Sequence, residues 1–529
     1  MRAIIVKKWF SGILKISKYS NVKRYFSYGT LTLLLLGCNN SDHSEDSVQL
    51  ISEFALIPHV YQIEDSTGTI NMGSMLEIVW NNNPNETLKN QIFNQWHEIQ
   101  SNQRQGQSTK LEIIIDLDLD LPHQEAYRLE IHQEGIIIRA LSQEGVYRAW
   151  QTLRQILYLS RDDKIGCGTI LDFPKYDYRG AMLDVARHFF SVDEVKRYLD
   201  QLAWYKINYF HMHLSDDQGW RIHINSWPLL TQIGGTSQVD GGTAGYYTQN
   251  QYQDIVNYAA ERFITVVPEI DMPGHTNAAL ASYAELNCDN TKRELYYGRE
   301  VGFSTLCVEK EITYQFAEDV IREISEITPG PYFHIGGDET HATPEDDYIL
   351  FINRVMPLVG EYGKTVIGWD EINLGELPPD AIVQYWASAQ NAINGIKKGA
   401  KVLMSPSSYA YLDMKYDSLT PIGYNWAGYI DTQKAYSWTP ETLVEGIKKE
   451  NIIGIEAPLW GETITNSQEL EFLAFPRLLG YAEIGWSEKE DRRTWEEYKL
   501  DLAIHGLLLE ELGINFYRDP KVNWLTESD

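Results

Sequence analysis

The chain reads as α/β: a (β/α)8 TIM barrel over residues 174–529, preceded by a smaller α+β domain over residues 48–173. Three observations predict this. Beyond Pro174, short apolar runs of strand type alternate with helical segments, the pattern of a parallel sheet with helical crossovers. Eight such runs can be counted, spread widely enough for a barrel with enlarged loops. The acidic and aromatic residues that interrupt the apolar texture collect just after those runs, at the strand ends where such barrels carry their sites.

In chain order, residues 1–38 stand apart. They hold Arg2, Lys7, Lys8, Lys15, Lys18, Lys23 and Arg24 but no acid, then an apolar run to Leu36, then Gly37 and Cys38. That order is the one an export signal requires, and the apolar run is too short to span a bilayer. Leu35-Leu36-Gly37-Cys38 resembles the bacterial lipobox, which would leave Cys38 as a lipid-modified N-terminus. Residues 39–47 read as a polar tether. The expected location is the bacterial cell envelope, periplasmic or outer-surface, with the membrane touched only through the lipid anchor at Cys38. The net charge of −29 becomes −36 once the basic segment is removed, which argues against nucleic acid as a partner. In an exported chain Cys288 and Cys307 form a plausible disulfide, while Cys167 stands alone as a buried thiol.

In the first domain, residues 111–115, 127–131 and 135–140 read as strands, the last two as a hairpin about Gln133-Glu134. Val146, Trp150, Leu153 and Leu157 follow at helical spacing. Asp116, Asp118 and Asp120 mimic the start of a calcium loop, but Leu121 and Tyr127 stand where the glycine and terminal glutamate belong, so an alternating strand is expected there. The barrel strands are expected at 178–186, 208–214, 264–270, 332–335, 364–368, 382–385, 401–404 and 452–455. Ser191 and Glu194 form a capping box for the first crossover helix, 249–262 is a second helix, and a helix over 468–484 helps to close the barrel.

The strand ends carry Asp184 and Arg187, with Arg179 near the beginning of that strand, then His213, Asp216 and Asp217, then Glu269, Asp271 and His275. Asp338 and Glu339 follow the Gly-Gly pair after the fourth strand. Trp369, Asp370 and Glu371, Trp386, Tyr411 and Asp413, and Glu456, Trp460 and Glu462 complete the ring. Carboxylates hydrogen-bond hydroxyls and indole faces cover the apolar face of a sugar ring, so such a ring is a sugar-binding surface.

Four stretches resemble the family 20 glycoside hydrolases, the β-N-acetylhexosaminidases: Arg179-Gly-Ala-Met-Leu-Asp184-Val-Ala-Arg187, His211-Met-His-Leu-Ser-Asp216-Asp217-Gln-Gly-Trp220-Arg221, Glu269-Ile-Asp271-Met-Pro-Gly-His275 and His334-Ile-Gly-Gly-Asp338-Glu339. The resemblance implies an exo-acting retaining glycosidase that removes terminal β-linked GlcNAc, or GalNAc, from a glycan without metal or cofactor. It also implies that the substrate's 2-acetamido oxygen is the nucleophile, with Glu339 as acid and base and Asp338 orienting the acetamido group. Independently, neighbours on a strand point opposite ways, a poor arrangement for two carboxyls that must flank one bond. By the same resemblance Asp216 and His275 form a relay to Glu339, with Asp217 an alternative to Asp216. Arg179 binds sugar hydroxyls, the other possibility being a structural salt bridge. Trp369, Trp386 and Trp460 wall the pocket, Tyr411 bonds the acetamido oxygen, and Asp413 and Glu462 read the outer hydroxyls. Two other readings compete: a metal-dependent barrel hydrolase using His211-x-His213, whose histidines are taken to face opposite sides of the strand, and a surface glycan-binding protein without catalysis.

Overall fold

A computed structural model describes residues 48–526, apart from 74, 82–84, 101–107, 161–163 and 489. The expected signal, Cys38 and the tether lie outside the described residues. The first domain is a six-stranded sheet: β1 (Gln62–Asn71), β2 (Leu76–Asn81), β3 (Thr109–Ile115), β4 (Tyr127–His132), β5 (Gly135–Ala140) and β6 (Lys164–Asp172), in the order β1-β6-β4-β5-β3-β2. The β4–β5 hairpin turns at Gln133-Glu134, with His132 opposite Gly135. The aspartates that follow β3 do not continue it as expected. Residues 116–121 turn, Asp118 N–H donates to Asp116 Oδ1 over 3.0 Å, and Leu117 is exposed, whereas an alternating strand on this sheet would bury it.

Among the described residues, this domain has two α-helices, α1 (Glu86–Gln100) and α2 (Gln143–Leu159). Ser142 caps α2 by accepting from Gly145 N–H. Every residue of α2 from Gly145 to Leu157 is buried, because the helix packs on the sheet with one side and on the barrel with the other. Arg148 on this helix therefore reaches the backbone oxygen of Phe263 in the barrel over 2.9 Å.

The barrel is closed by eight parallel strands in sequence order: β7 (Tyr178–Asp184), β8 (Tyr209–His213), β9 (Thr265–Glu269), β10 (Tyr332–His334), β11 (Thr365–Trp369), β12 (Ile382–Tyr385), β13 (Lys401–Met404) and β14 (Ile452–Leu459). Strands covered on both faces read as continuous apolar runs, which is why β7 is buried along its whole length. Crossover helices include α3 (Val192–Trp204), α4 (Gln249–Ala260), α5 (Glu311–Ile327), α6 (Glu345–Glu361) and α7 (Ala389–Lys397). The capping box on α3 is present, with Ser191 accepting from Glu194 N–H and Glu194 reaching back to Ser191 N–H.

The helix expected over 468–484 is two helices, α8 (Ser467–Ala474) and α9 (Arg477–Trp486). Pro476 has no N–H to give, and Phe475 before it is held extended, so the first helix must end there. A last helix, α10 (Trp495–Glu511), opens on a Thr494–Glu497 capping box. Inside the barrel, Tyr178, Val267, Ile367, Ile382 and Leu403 form an apolar plug at the N-terminal end. Above that plug the interior turns polar, and the site begins.

Candidate active site

The polar interior is built from side chains that share one face of their strands. Glu269, at the end of β9, receives Trp369 Nε1–H at 2.9 Å on Oε1, with His334 Nδ1 3.0 Å from the same oxygen. Its Oε2 lies 2.5 Å from His213 Nδ1 and 3.0 Å from His211 Nε2. Burial alone would raise Glu269, but the three imidazoles hold it well below the usual carboxylate range. His211 also meets Glu456 at 2.8 Å; burial opposes its charge, and the two carboxylates outweigh burial and lift it to about 9.

From His213 the contacts continue outward. His213 Nε2 is 2.8 Å from Asp216 Oδ2, and Arg187 Nη2 is 2.7 Å from the same oxygen. Asp216 Oδ1 is 3.2 Å from His275 Nδ1, and His275 Nε2 is 3.9 Å from Glu339 Oε2. Asp216 is fully buried, which works against its charge, yet Arg187 and then His275 keep it far below the ordinary carboxylate range. His275 is correspondingly raised, against burial, by Asp216, Asp271 and Asp338.

Asp338 and Glu339 sit on a left-handed turn after β10. Gly336 and Gly337 have φ of 67° and 99°, Glu339 has φ of 46°, and His275 opposite has φ of 54°. Positive φ in two non-glycine residues of one site is strain that the surrounding structure must hold in place. Gly336 is required for a second reason: a Cβ there would lie 1.9 Å from Asp271 Oδ1, the oxygen that accepts Gly337 N–H. The turn separates the two acids. Glu339 opens to the mouth with its side chain 32% exposed, whereas Asp338 is buried beside Asp271. Burial first, then the Asp271 charge, push Asp338 well above the normal carboxylate range.

The walls come from the later strands. Trp369 and Trp460 meet at 5.7 Å between ring centroids, and Trp386 stacks on Tyr411 at 6.4 Å and 14°. Trp386 Nε1–H donates to Glu371 over 3.0 Å, and Asp370 fixes the loop behind it by accepting the N–H groups of Ala387 and Ser388. Asp184 accepts Gly461 N–H over 2.8 Å and so sets the loop that carries Trp460 and Glu462. Asp338 Oδ1, Asp413 Oδ1 and Glu462 Oε2 are buried atoms with no hydrogen-bond partner. A buried polar atom left unmet costs free energy, so these three mark where a hydroxyl- and amide-bearing ligand would stabilise the site.

The sequence matches the catalytic domain of glycosyl hydrolase family 20 over residues 176–348 and 342–489, and domain 2 of that family over residues 53–173. The chain belongs to glycosyl hydrolase family 20. A β-N-acetylhexosaminidase of Cellulomonas fimi is 42% identical over 421 residues, covering 78% of this chain and 84% of that protein. The N-acetyl-β-hexosaminidase of Streptomyces plicatus, solved with Thio-NAglucal, superposes with a TM-score of 0.84 at 41% identity, over 89% of this chain and 98% of that one. The exo β-N-acetylglucosaminidase of Vibrio harveyi, solved with N-acetylglucosamine, gives 0.78 at 30% identity, over 92% and 81%.

Within this family 20 fold the structure brings Asp216, His275, Asp338, Glu339, Trp369, Trp386, Tyr411, Asp413, Trp460 and Glu462 to the C-terminal face of the barrel. It does not bring Arg179 there. Arg179 is the second residue of β7, at the opposite end, where its guanidinium grips Glu125 of the first domain by two hydrogen bonds and also donates to the Tyr176 and Lys206 backbone oxygens. The salt-bridge alternative is the one observed. The arginine in the site is Arg187, past the end of the same strand, over the Trp460 ring at 4.9 Å and paired with Asp216. Asp216 and Asp217 also separate: Asp217 Oδ1 accepts from Asn277 N–H and Ser304 Oγ–H and holds a loop.

His211 and His213 do not face opposite sides as expected. Residues two apart on a strand share a face, and both rings reach Glu269. A cation could sit among His211, Glu269 and His334 only by displacing the contacts already made there. Cys288 and Cys307 are bonded, closing the loop after β9, and Cys167 is a buried free thiol. Trp426, 57% exposed, was not singled out by any pattern; it lies in a loop and stands edge-on to Trp386 and Tyr411 at the rim.

Proposed function

We propose that this family 20 enzyme removes terminal β-linked N-acetylhexosamine from the non-reducing end of glycans by substrate-assisted catalysis with retention. The observation that carries this reading is the unequal pair after β10. Glu339 faces the mouth beside His275, while Asp338 is buried against Asp271 and lies close enough to Tyr411 to act on its hydroxyl electrostatically. One acid is therefore placed to exchange protons with a leaving group and then with water. The other is placed to meet a group held inside the aromatic walls.

In the first step the acetamido oxygen of the substrate attacks the anomeric carbon, the glycosidic bond breaks, and Glu339 gives its proton to the departing oxygen. The oxazolinium that forms carries positive charge beside Asp338, whose carboxylate stabilises it and accepts the acetamido N–H. Tyr411 bonds the acetamido oxygen, and Trp369, Trp386 and Trp460 exclude water around it. In the second step Glu339 takes a proton from water as that water attacks the anomeric carbon, and the bond from that carbon to the acetamido oxygen breaks, restoring the acetamido group. Two inversions at one carbon give retention. Arg187, Asp413 and Glu462 read the outer hydroxyls and close the pocket behind the terminal sugar, which confines action to chain ends.

A thiazoline analogue of the cyclised intermediate should inhibit at concentrations at least ~10²-fold below the KM of an aryl N-acetylglucosaminide. An aryl glucoside lacking the acetamido group should not be turned over. Ready hydrolysis of that glucoside, or indifference to the thiazoline, would sink substrate assistance, and the same assay with the C4 epimer separates GlcNAc from GalNAc preference. Export and lipid attachment through Cys38 belong to this proposal, on the basic, apolar, Cys order of residues 1–38. Cys38→Ser should move activity from the membrane fraction to the soluble fraction, and activity that stays membrane-bound would count against the anchor.

A further inference from the structure

Glu269 is the fully buried carboxylate on which the barrel interior converges, yet it touches no place where substrate can sit. Its two oxygens are used differently. Oε1 accepts Trp369 Nε1–H at 2.9 Å, which orients the carboxylate; His334 Nδ1 lies 3.0 Å from the same oxygen but accepts Gly336 N–H. Oε2 then points at His213 Nδ1, 2.5 Å away, and at His211 Nε2, 3.0 Å away. His213 is gripped from both sides, by Glu269 and, at 2.8 Å, by Asp216. An imidazole with a carboxylate at each nitrogen can satisfy both only as the doubly protonated cation.

The contacts form a line that is close from Tyr178 to His275 and ends 3.9 Å from Glu339. Tyr178 O–H, at the N-terminal end of β7, donates to Glu456; Glu456 meets His211; His211 meets Glu269; and the line continues through His213, Asp216 and His275 to Glu339 at the mouth. Space for its inner end is provided by Gly180, where a Cβ would lie 2.7 Å from Glu456 Oε2. Glu269 lies between His211 and His213, and Asp216 between His213 and His275, so removing either charge leaves two imidazoles without their carboxylate.

We propose that Glu269 is a positioning residue for the acid/base step: through His213 and Asp216 it fixes the place and charge of His275, and so the readiness of Glu339 to give up its proton. This rests on Glu339 being the acid, as proposed above. With glutamine at 269, one of the two nitrogens facing Oε2 loses its charged acceptor, His213 no longer holds Asp216 from behind, and His275 shifts against Glu339. The loss should appear only where the leaving group needs the proton.

The test is a series of aryl N-acetyl-β-glucosaminides whose leaving groups run from dinitrophenol to unsubstituted phenol, assayed with Glu269→Gln, His213→Asn and Glu339→Gln. The expected result for Glu269→Gln is a loss in kcat/KM of at most a few-fold with dinitrophenyl and ~10–100-fold with phenyl, a fraction of what a general acid supplies. His213→Asn should follow the same slope, and it carries the test if Glu269→Gln does not fold. The double variant Glu269→Gln with Asp216→Asn should be little worse than Asp216→Asn alone, because both act through one line. A loss that is uniform along the series, or losses that multiply in the double variant, would overturn the inference. If Glu339→Gln itself shows no dependence on leaving group, the acid/base reading fails instead; a steep Glu339→Gln slope with a flat Glu269→Gln slope refutes only the role of Glu269.

Discussion

The two ends of the barrel bury charge in opposite ways. At the N-terminal end, Arg179 spends its guanidinium on Glu125 and two backbone oxygens, and Lys206 lies 2.7 Å from Asp172 and 3.0 Å from the Tyr127 hydroxyl oxygen, over the Trp486 ring at 4.4 Å. Burial alone would raise Glu125, but Arg179 and Arg148 hold it down to about 2. At the C-terminal end, Asp338, Asp413 and Glu462 each keep a buried oxygen without a partner, and all three carboxyls are raised by burial. A buried ion is therefore no sign of function in this molecule. What distinguishes the working end is that three of its buried carboxylates keep an unmet oxygen, whereas both oxygens of Glu125 and of Asp172 are met.

The contrast predicts opposite responses to mutation. Arg179→Met removes one partner of a buried pair and leaves Glu125 with less compensation, so it should cost about 3–5 kcal/mol of stability. The remaining folded enzyme should keep its kcat and KM, because nothing near Arg179 faces the mouth. Denaturant unfolding alongside steady-state kinetics decides this. A raised KM with unchanged stability would return Arg179 to the sugar and erase the difference between the two ends.

Much of this division was legible in the sequence, and the misses have physical reasons. The eight strands were found within one or two residues at nearly every boundary, because strands buried on both faces have to be apolar runs; β14 alone runs four residues beyond its expected end. The two acids after Gly-Gly were legible because a glycine pair that ends a strand signals a special turn. Arg179 was misplaced because one motif holds two arginines. Arg179 is the second residue of a seven-residue strand about 20 Å long and Arg187 lies three residues past its end, so they sit at opposite ends of the barrel. Applying the strand-end rule to the pair would have chosen Arg187. The facing of His211 and His213 follows from the two-residue period and needed no structure. Trp426 lies in a loop whose path follows from tertiary packing, and no local pattern marks it.

Asp338 gives the smaller and more telling test, because here the working end should become more stable when it stops working. In the folded chain burial and Asp271 lift Asp338, and burial lifts Asp271 to about 6 against the pull of His275. In the unfolded chain both ionise near pH 4. The folded state therefore holds more protons than the unfolded state as pH rises from about 4 through 6, so stability from this pair is complete below pH 4 and is lost with rising pH. Asp338→Asn replaces the repulsion by an amide whose N–H can donate to Asp271 at any pH. The variant should gain about 1–2 kcal/mol at pH 7.5 and flatten the stability profile between pH 4 and 7. It should also hydrolyse substrate ~10²-fold or more slowly, because an amide carries no charge to offset the oxazolinium. Thermal unfolding across that pH range, with kinetics on the same samples, reads both quantities. A variant less stable than the parent at pH 7.5 would mean that Asp338 is held as firmly as the ions at the other end, and that the two ends of the barrel do not differ in the way the unmet oxygens imply.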